Sequence, residues 1–291
     1  MSKASDKLRA DFKRSDDIRD AGLTTPDDIV RYDDICYGED KKWQMLDVYR
    51  PKDKKDDILP VIVSVHGGGW VYGDKERYQY YCMDLAERGF AVVNFTYRLA
   101  PEFKFPSPLE DTNLVIGWIM KNKEKYGFDV NNIFAVGDSA GAHILGLYTS
   151  ICTNTEYAEN FDFTVPEGFC FRAVALNCGA YEILMEKDGA LMEDYLPEKG
   201  SERELELINV PGHITGDYPP VFLMTCTGDF LIDQPLLMIK KMTGESVPFE
   251  YRFYGDKKNS LGHVFHCNIR LEAAKICNDD ECEFFKKIAV S

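Results

Sequence analysis

Two hydrophobic rhythms alternate along the chain. One is the unbroken apolar run: VIVSV (61–65), AVVNFTY (91–97), IFAV (133–136), AVAL (173–176), VFLMT (221–225) and FEYRF (249–253). Runs of this length suit strands buried on both faces, as in a parallel sheet. The other is a helical period. Tyr78, Tyr81, Cys82 and Leu85 share one face, as do Val115, Trp118 and Ile119, and helices are further predicted over 140–151, 234–243 and roughly 280–290. Shorter strand candidates at 35–37 and 46–49 come first, the second closed by Pro51. Strand followed by helix, repeated, predicts βαβ units and an α/β fold with a mostly parallel central sheet flanked by helices.

Two segments stand outside the alternation. Residues 1–30 are charge-rich, with Leu8 and Phe12 at helical spacing. They fit a cap helix docked on the body or a frayed tail. Residues 182–216 are too long for an ordinary connection and are predicted to form a small helical insert over one end of the sheet, where an α/β fold places its ligand. No internal repeat or low-complexity linker divides the chain, so 1–291 reads as one domain.

Charge narrows the partners. The net charge of −15 and pI near 4.8 repel phosphate backbones and anionic lipid, which argues against nucleic acid and membrane partners. The longest apolar runs, such as LVIGWIM, are too short to span a bilayer, and the first residues lack the apolar core of a signal peptide. Nine cysteines are scattered without a C-x-x-C pair or zinc-type spacing. That pattern predicts reduced thiols, a cytoplasmic setting and no metal site. An open sheet edge leaves room for a homodimer.

The chemistry is concentrated where IFAV runs into GDSAGAH (137–143) and then into the apolar ILGLYTS. Strand, sharp turn and helix are the context a G-x-S-x-G nucleophile elbow requires, with Ser139 lifted above the sheet edge between two glycines. A serine hydroxyl needs a base to activate it and donors to hold an oxyanion. VIVSV ends in HGGGWVYGD (66–74), and this loop offers the amides of Gly68 and Gly69. With the amide of Ala140 they would make a three-donor oxyanion hole.

Five histidines are candidates for the base. His66 belongs to the glycine loop, His143 lies one turn into the nucleophile helix and His213 lies in the insert. His263 and His266 follow the last strand, where such a base belongs. His263, at a loop tip after Gly262, is favoured over His266 at the expected start of a helix. CTGDFLID after VFLMT offers Asp229 and Asp233 as the acid. Asp229 is nearer the strand end, whereas Asp233 reads as an N-cap ahead of Gln234-Pro235.

HGGGW, GDSAGA and YRLAPEFKFPSPLED (97–111) together resemble the hormone-sensitive-lipase-like branch of the α/β hydrolases, with its carboxylesterases and acetyl esterases, over roughly residues 33–267. The resemblance implies an α/β-hydrolase fold, nucleophile Ser139, acid Asp229, base His263 and oxyanion donors Gly68, Gly69 and Ala140. It implies that Arg98 and Glu102 brace the YRLAPE loop and that Asp111 ties it down. The chain departs from the family in reading His143 after GDSAGA, where a further glycine is common.

The function expected is hydrolysis of short-chain, acetyl-type esters of small molecules through an acyl-enzyme, with no cofactor. HGGGW with a serine elbow also resembles arylformamidases, and some relatives keep the pocket only to hold a ligand. Trp70, Tyr72 and Tyr181 are candidates for the pocket wall, alongside plain core packing.

Overall fold

The computed structural model describes residues 2–290, so Met1 and Ser291, the ends of the expected domain, lie outside them. The strands are β1 (Ile29–Cys36), β2 (Met45–Pro51), β3 (Leu59–Val65), β4 (Ala91–Phe95), β5 (Phe128–Asp138), β6 (Ala173–Asn177), β7 (Val221–Cys226) and β8 (Phe249–Tyr254). They form one eight-stranded sheet in the order β1-β2-β4-β3-β5-β6-β7-β8. β2 pairs antiparallel with β1 and β4, and every pairing from β4 through β8 is parallel.

The helices are α1 (Lys3–Asp20), α2 (Lys75–Glu87), α3 (Ser107–Tyr126), α4 (Ala140–Thr153) and α5 (Thr155–Ala158), then α6 (Met185–Tyr195), α7 (Glu202–Leu207), α8 (Val210–His213), α9 (Gln234–Gly244) and α10 (Glu272–Ile288). Alternation along the buried strands feeds two apolar layers, one on each face of the sheet. Val61, Val63 and Val65 of β3 join Val115 and Ile119 of α3 and Leu145 of α4. Ile62 joins Tyr81 and Leu85 of α2 and Phe285 of α10 on the opposite face. Among the described residues, no helix is long and apolar enough to cross a membrane.

β1 is longer than the 35–37 segment predicted. It is an edge strand with a mostly solvated outer part, and its register shifts between Tyr32 and Ile35, where Asp34 adopts a left-handed φ of 56°. A bulged edge strand shows neither an apolar run nor clean alternation. α10 starts at Glu272, ahead of the expected 280; its buried face sets small Ala274 and Cys277 beside polar Asn278 and Glu281, which interrupt the apolar stripe.

Glu281 accepts hydrogen bonds from Tyr81 Oη (3.0 Å) and Asn177 Nδ2 (2.6 Å). Burial pushes its carboxyl up to about 7 against those bonds. The folded chain therefore holds this proton more tightly than the unfolded chain does. The associated stability is fully present below the ordinary glutamate pKa and is lost as pH rises through about 7. Glu281→Gln, which mimics the protonated acid, is expected to flatten that decline. Urea midpoints at several pH values check it, and an unaltered pH slope in the variant would contradict it.

α1 carries few buried residues but is pinned by polar contacts. Asp194 of α6 accepts from Ser2 N (2.9 Å) and Ser5 Oγ (2.5 Å). Arg9 reaches the carbonyls of Val71 and Ala100 and pairs with Glu102 at 2.9 Å. Arg77 of α2 pairs with Asp17 at 2.6 Å. These contacts lay the helix beside the glycine loop, with α6 on its other side.

Candidate active site

Ser139 is the single residue between β5 and α4, at φ 52° and ψ −118°. A left-handed φ in a non-glycine residue is strained and must be imposed by its surroundings. Here Ser139 N donates to Asn177 O (3.0 Å). A Cβ at Gly137 would meet Gly141 O at 2.7 Å, and one at Gly141 would meet Val65 O at 2.1 Å. The two glycines let α4 turn back tightly over the ends of β5 and β3.

The glycine loop is folded tightly as well. Gly68 sits at φ 121° and Gly69 at φ 60°, and the amides of Val71 and Tyr72 both donate to Gly68 O. Among the described residues, the amides of Gly68, Gly69 and Ala140 donate to no protein acceptor. His66 anchors the loop: its ring stacks on Tyr97 at 4.0 Å and Nδ1 lies 2.7 Å from Gly67 O. Burial pushes this imidazole down to about 4.

Asp138 supplies a second anchor that the sequence reading passed over. Tyr78 Oη donates to Asp138 Oδ2 (2.7 Å) and accepts from Gly67 N (2.9 Å). The elbow and the glycine loop are joined through one phenol. Asp138 is buried, which pushes its carboxyl up to about 6. Its position before the serine was a signal, but Tyr78 showed only the period of a core-facing helix.

Asp229 and His263 are brought together. His263 Nδ1 lies 2.7 Å from Asp229 Oδ1. Thr225 Oγ1 donates to Asp229 Oδ2 (2.7 Å) and Leu231 N to Oδ1 (2.9 Å). Burial works to raise the Asp229 carboxyl, but the hydrogen bond and charge of His263, with the other donors, hold it below the ordinary aspartate range. The two loops are stitched by a bridge between Gly228 and Gly262, in which Gly228 N donates to Leu261 O (2.8 Å). Ser139 and His263 line one cavity of about 200 Å³. Among the described hydrogen bonds, none joins Ser139 Oγ to the imidazole, an arrangement common before substrate tightens such a site.

The remaining histidines are engaged elsewhere. His143 Nδ1 accepts from Trp70 Nε1 (3.2 Å), Nε2 faces Ile208 O (2.9 Å), and burial pushes the ring down to about 4. His213 stacks on Tyr157 at 3.7 Å. His266 lies in the short 3-10 turn Phe265–Cys267 rather than at a helix start, and burial pushes it down to about 3.

Three other expectations are corrected. Asp233 occupies the N-cap position of α9 in a helical conformation, and its side chain accepts no capping bond. It lines a second cavity, of about 310 Å³, that also opens on Ser139. Glu102 pairs with Arg9 of α1. Arg98 is held instead by Asp111 (3.0 Å) and Glu110 (2.7 Å), while Gln44 Nε2 also donates to Asp111 (2.7 Å). Tyr181 is fully buried with Oη on Leu176 O (3.1 Å), and it walls neither cavity because its ring is core packing. Trp70 lines the larger cavity and stacks on Tyr195 at 5.3 Å, whereas Tyr72 lines the smaller one.

Among the described residues, two sets place metal-ligand atoms within 4.8 Å of one another: the buried Asp138, His266 and Cys267, and the buried Cys178 and Asp229 with half-buried His263. In the first, Tyr78 already donates to the carboxylate; in the second, the Asp229–His263 hydrogen bond occupies the facing atoms.

The BD-FAE family model matches residues 46–235, a stretch that holds the glycine loop, the elbow and Asp229. Esterase LipC of Mycobacterium tuberculosis is 34% identical over 135 residues, covering 46% of this chain and 32% of LipC. A probable isoprenylcysteine alpha-carbonyl methylesterase of Oryza sativa is 37% identical over 233 residues, covering 78% of this chain and 49% of that protein. These matches take in about a third and about half of the two relatives' own lengths. Among solved structures, esterase B of Lactobacillus rhamnosis, inhibited with a tributyrin phosphonate, superposes with a TM-score of 0.90 at 26% identity, over 99% of this chain and 96% of that one. The eight-stranded sheet, the flanking helices and the strand-turn-helix at Ser139 are thus those of an α/β hydrolase, and the chain belongs to the BD-FAE family within the carboxylesterase group of that fold.

Proposed function

We propose that the chain is a serine carboxylesterase that hydrolyses short-chain, acetyl-type esters through an acyl-enzyme on Ser139. The observation that carries this reading is the buried Asp229, 2.7 Å from His263 Nδ1, beside the cavity that the strained Ser139 shares. Asp229 holds the Nδ1–H tautomer, which leaves Nε2 free to take the Ser139 proton as Oγ attacks the ester carbonyl. The amides of Gly68, Gly69 and Ala140 receive the oxyanion. The imidazolium then returns its proton to the leaving alcohol, and water repeats the cycle on the acyl group.

The acyl group belongs in the 310 Å³ cavity, whose walls include Leu8 of α1, Trp70 and Leu191 of α6. Those helices narrow its reach, and Glu182, Asp188 and Asp233 add carboxylates to its walls. Both features favour short chains over fatty ones.

The test pairs labelling with a chain-length series. A fluorophosphonate is expected to add once, at Ser139, by peptide mass spectrometry, and Ser139→Ala is expected to stay folded and unlabelled. 4-Nitrophenyl esters from acetate to decanoate are expected to lose kcat/KM steadily with length. Labelling of the Ser139→Ala protein would remove the serine from its role, and a maximum at decanoate would overturn the short-chain assignment.

A further inference from the structure

Trp70 is held from several sides. It follows Gly69 directly in the glycine loop at a left-handed φ of 62°, a conformation that a bulky residue keeps only where its surroundings impose it. Its carbonyl oxygen accepts from Ala100 N (3.0 Å), which pins the backbone. Its side chain forms part of the wall of the 310 Å³ cavity. The indole stacks on Tyr195 of α6, with 5.3 Å between ring centroids and 24° between planes. Stacking resists tilting but lets a ring slide and turn within its own plane. The directional contact comes from His143, edge-on to the indole at 5.3 Å, whose Nδ1 accepts from Trp70 Nε1 (3.2 Å).

His143 is fully buried, and the mechanism above gives it no task. An indole N–H only donates, so Nδ1 carries a lone pair and the ring proton lies on Nε2, which donates to Ile208 O (2.9 Å). Both nitrogens are thereby occupied by fixed partners. Burial pushes the imidazole down to about 4, which keeps this neutral form in place at neutral pH. Ile208 lies between α7 and α8 in the insert, and Tyr195 ends α6 of the same segment. One imidazole on α4 thus joins the glycine loop to the insert. His143 lines neither cavity and reaches the substrate space only through the indole.

We propose that His143 is a specificity-determining positioning residue: by fixing the Trp70 indole against Tyr195 it sets the depth of the acyl cavity, and with it the chain-length limit. The inference rests on the esterase reading above and names the group that enforces its short-chain preference. A buried N–H without an acceptor is costly, so an indole deprived of Nδ1 turns to find another partner. The space beside it is then the space the imidazole has left, and the cavity lengthens.

Three variants separate the two bonds of the imidazole. His143→Asn places an amide oxygen near the position of Nδ1 and can still accept from Trp70. His143→Gln places its amide near the position of Nε2 and can still donate to Ile208 O. His143→Ala keeps neither bond. The ratio of kcat/KM for 4-nitrophenyl hexanoate to that for the acetate is measured in each. His143→Ala and His143→Gln are expected to raise this ratio at least about tenfold, the least that one accommodated methylene is worth, whereas His143→Asn keeps it near the wild-type value. The chain has three tryptophans, and the indole Nε1–H signal of Trp70, assigned with Trp70→Phe, gives a readout apart from activity. It is expected to resist hydrogen exchange in wild type and His143→Asn and to lose that protection in the other two. A ratio unchanged while all rates fall together overturns the proposal, because a merely structural role lowers every ester alike. So does a ratio that rises in His143→Asn but not in His143→Gln, or an indole signal that none of the variants alters. Should His143→Ala prove insoluble, the contrast between His143→Asn and His143→Gln decides alone. Fluorophosphonate labelling runs alongside. If Ser139 labels and the acetate turns over but the ratios stay flat, this proposal fails alone; if neither occurs, the esterase reading fails and takes it along.

Discussion

His263→Ala is expected to lower kcat for 4-nitrophenyl acetate by about 10⁶-fold, the scale set when the base of a Ser-His-Asp unit is removed. Asp229→Ala is expected to cost less, about 10⁴-fold, because serine and imidazole remain. The difference follows from the geometry. Asp229 acts through His263 Nδ1 and is itself fixed by Thr225 Oγ1 and Leu231 N. Without it the imidazole loses its tautomer, its orientation and the carboxylate that stabilises the imidazolium, yet the ring itself is still there. The double variant is expected to be no slower than His263→Ala, since a carboxylate that works only through the imidazole has nothing to hold once the ring is gone. Steady-state rates with unchanged far-UV circular dichroism check all three proteins. More than one part in about a hundred of wild-type kcat in His263→Ala would place the base elsewhere, because general-base help alone is worth at least about 10²-fold.

What the sequence exposed and what it hid divide along one physical line. β3, β5, β6 and β7 were legible because strands covered on both faces are written as unbroken apolar runs. Gly137 to Gly141, the glycine loop, Asp229 and His263 were legible because their spacing relative to those strands is fixed by the turn each must make. Where burial involves polar groups, that code fails. α10 buries only small Ala274 and Cys277 in its first turns and then polar Asn278 and Glu281, so its apolar stripe is weak until Phe284 and Phe285. Asp233 looked like a cap because its side-chain type fits one, but the backbone there is already helical and gives the carboxylate no capping bond. Tyr181 was a wall candidate from its amphipathic type alone, and the fold spends its hydroxyl on Leu176 O.

Contacts between distant segments were the least legible of all. Glu102 meets Arg9 across 93 residues, and Asp16 meets Tyr72 across 56. Neither pairing has a local signature. Both arise because α1 is held by Asp194 and by the carbonyls of the glycine-loop region. A helix attached by polar bonds to several elements leaves almost no hydrophobic trace, which is why residues 1–30 fitted a cap and a tail equally well.

Gly141→Ala is expected to be strongly destabilising. Its Cβ would lie 2.1 Å from Val65 O and 2.6 Å from His66 O. Both are backbone atoms at the end of β3, where the central strand passes into the glycine loop, so no side chain can swing away to make room. The first turn of α4 must lift off β3 or the loop must move, and either breaks the relation between Ser139 and the amides of Gly68 and Gly69. A loss of more than about 4 kcal/mol is expected, the range reached when a buried clash cannot relax, with insoluble or inactive protein as the practical outcome. Gly244→Ala is the matched control. It closes α9, has nothing within 4 Å of an added Cβ and lies at no left-handed φ, so it is expected to be neutral or slightly stabilising. Urea denaturation of both variants reads the contrast. If Gly141→Ala unfolds within about 1 kcal/mol of wild type, well inside the ordinary spread for point changes, then the close approach of α4 to β3 is not what holds the serine in its strained conformation.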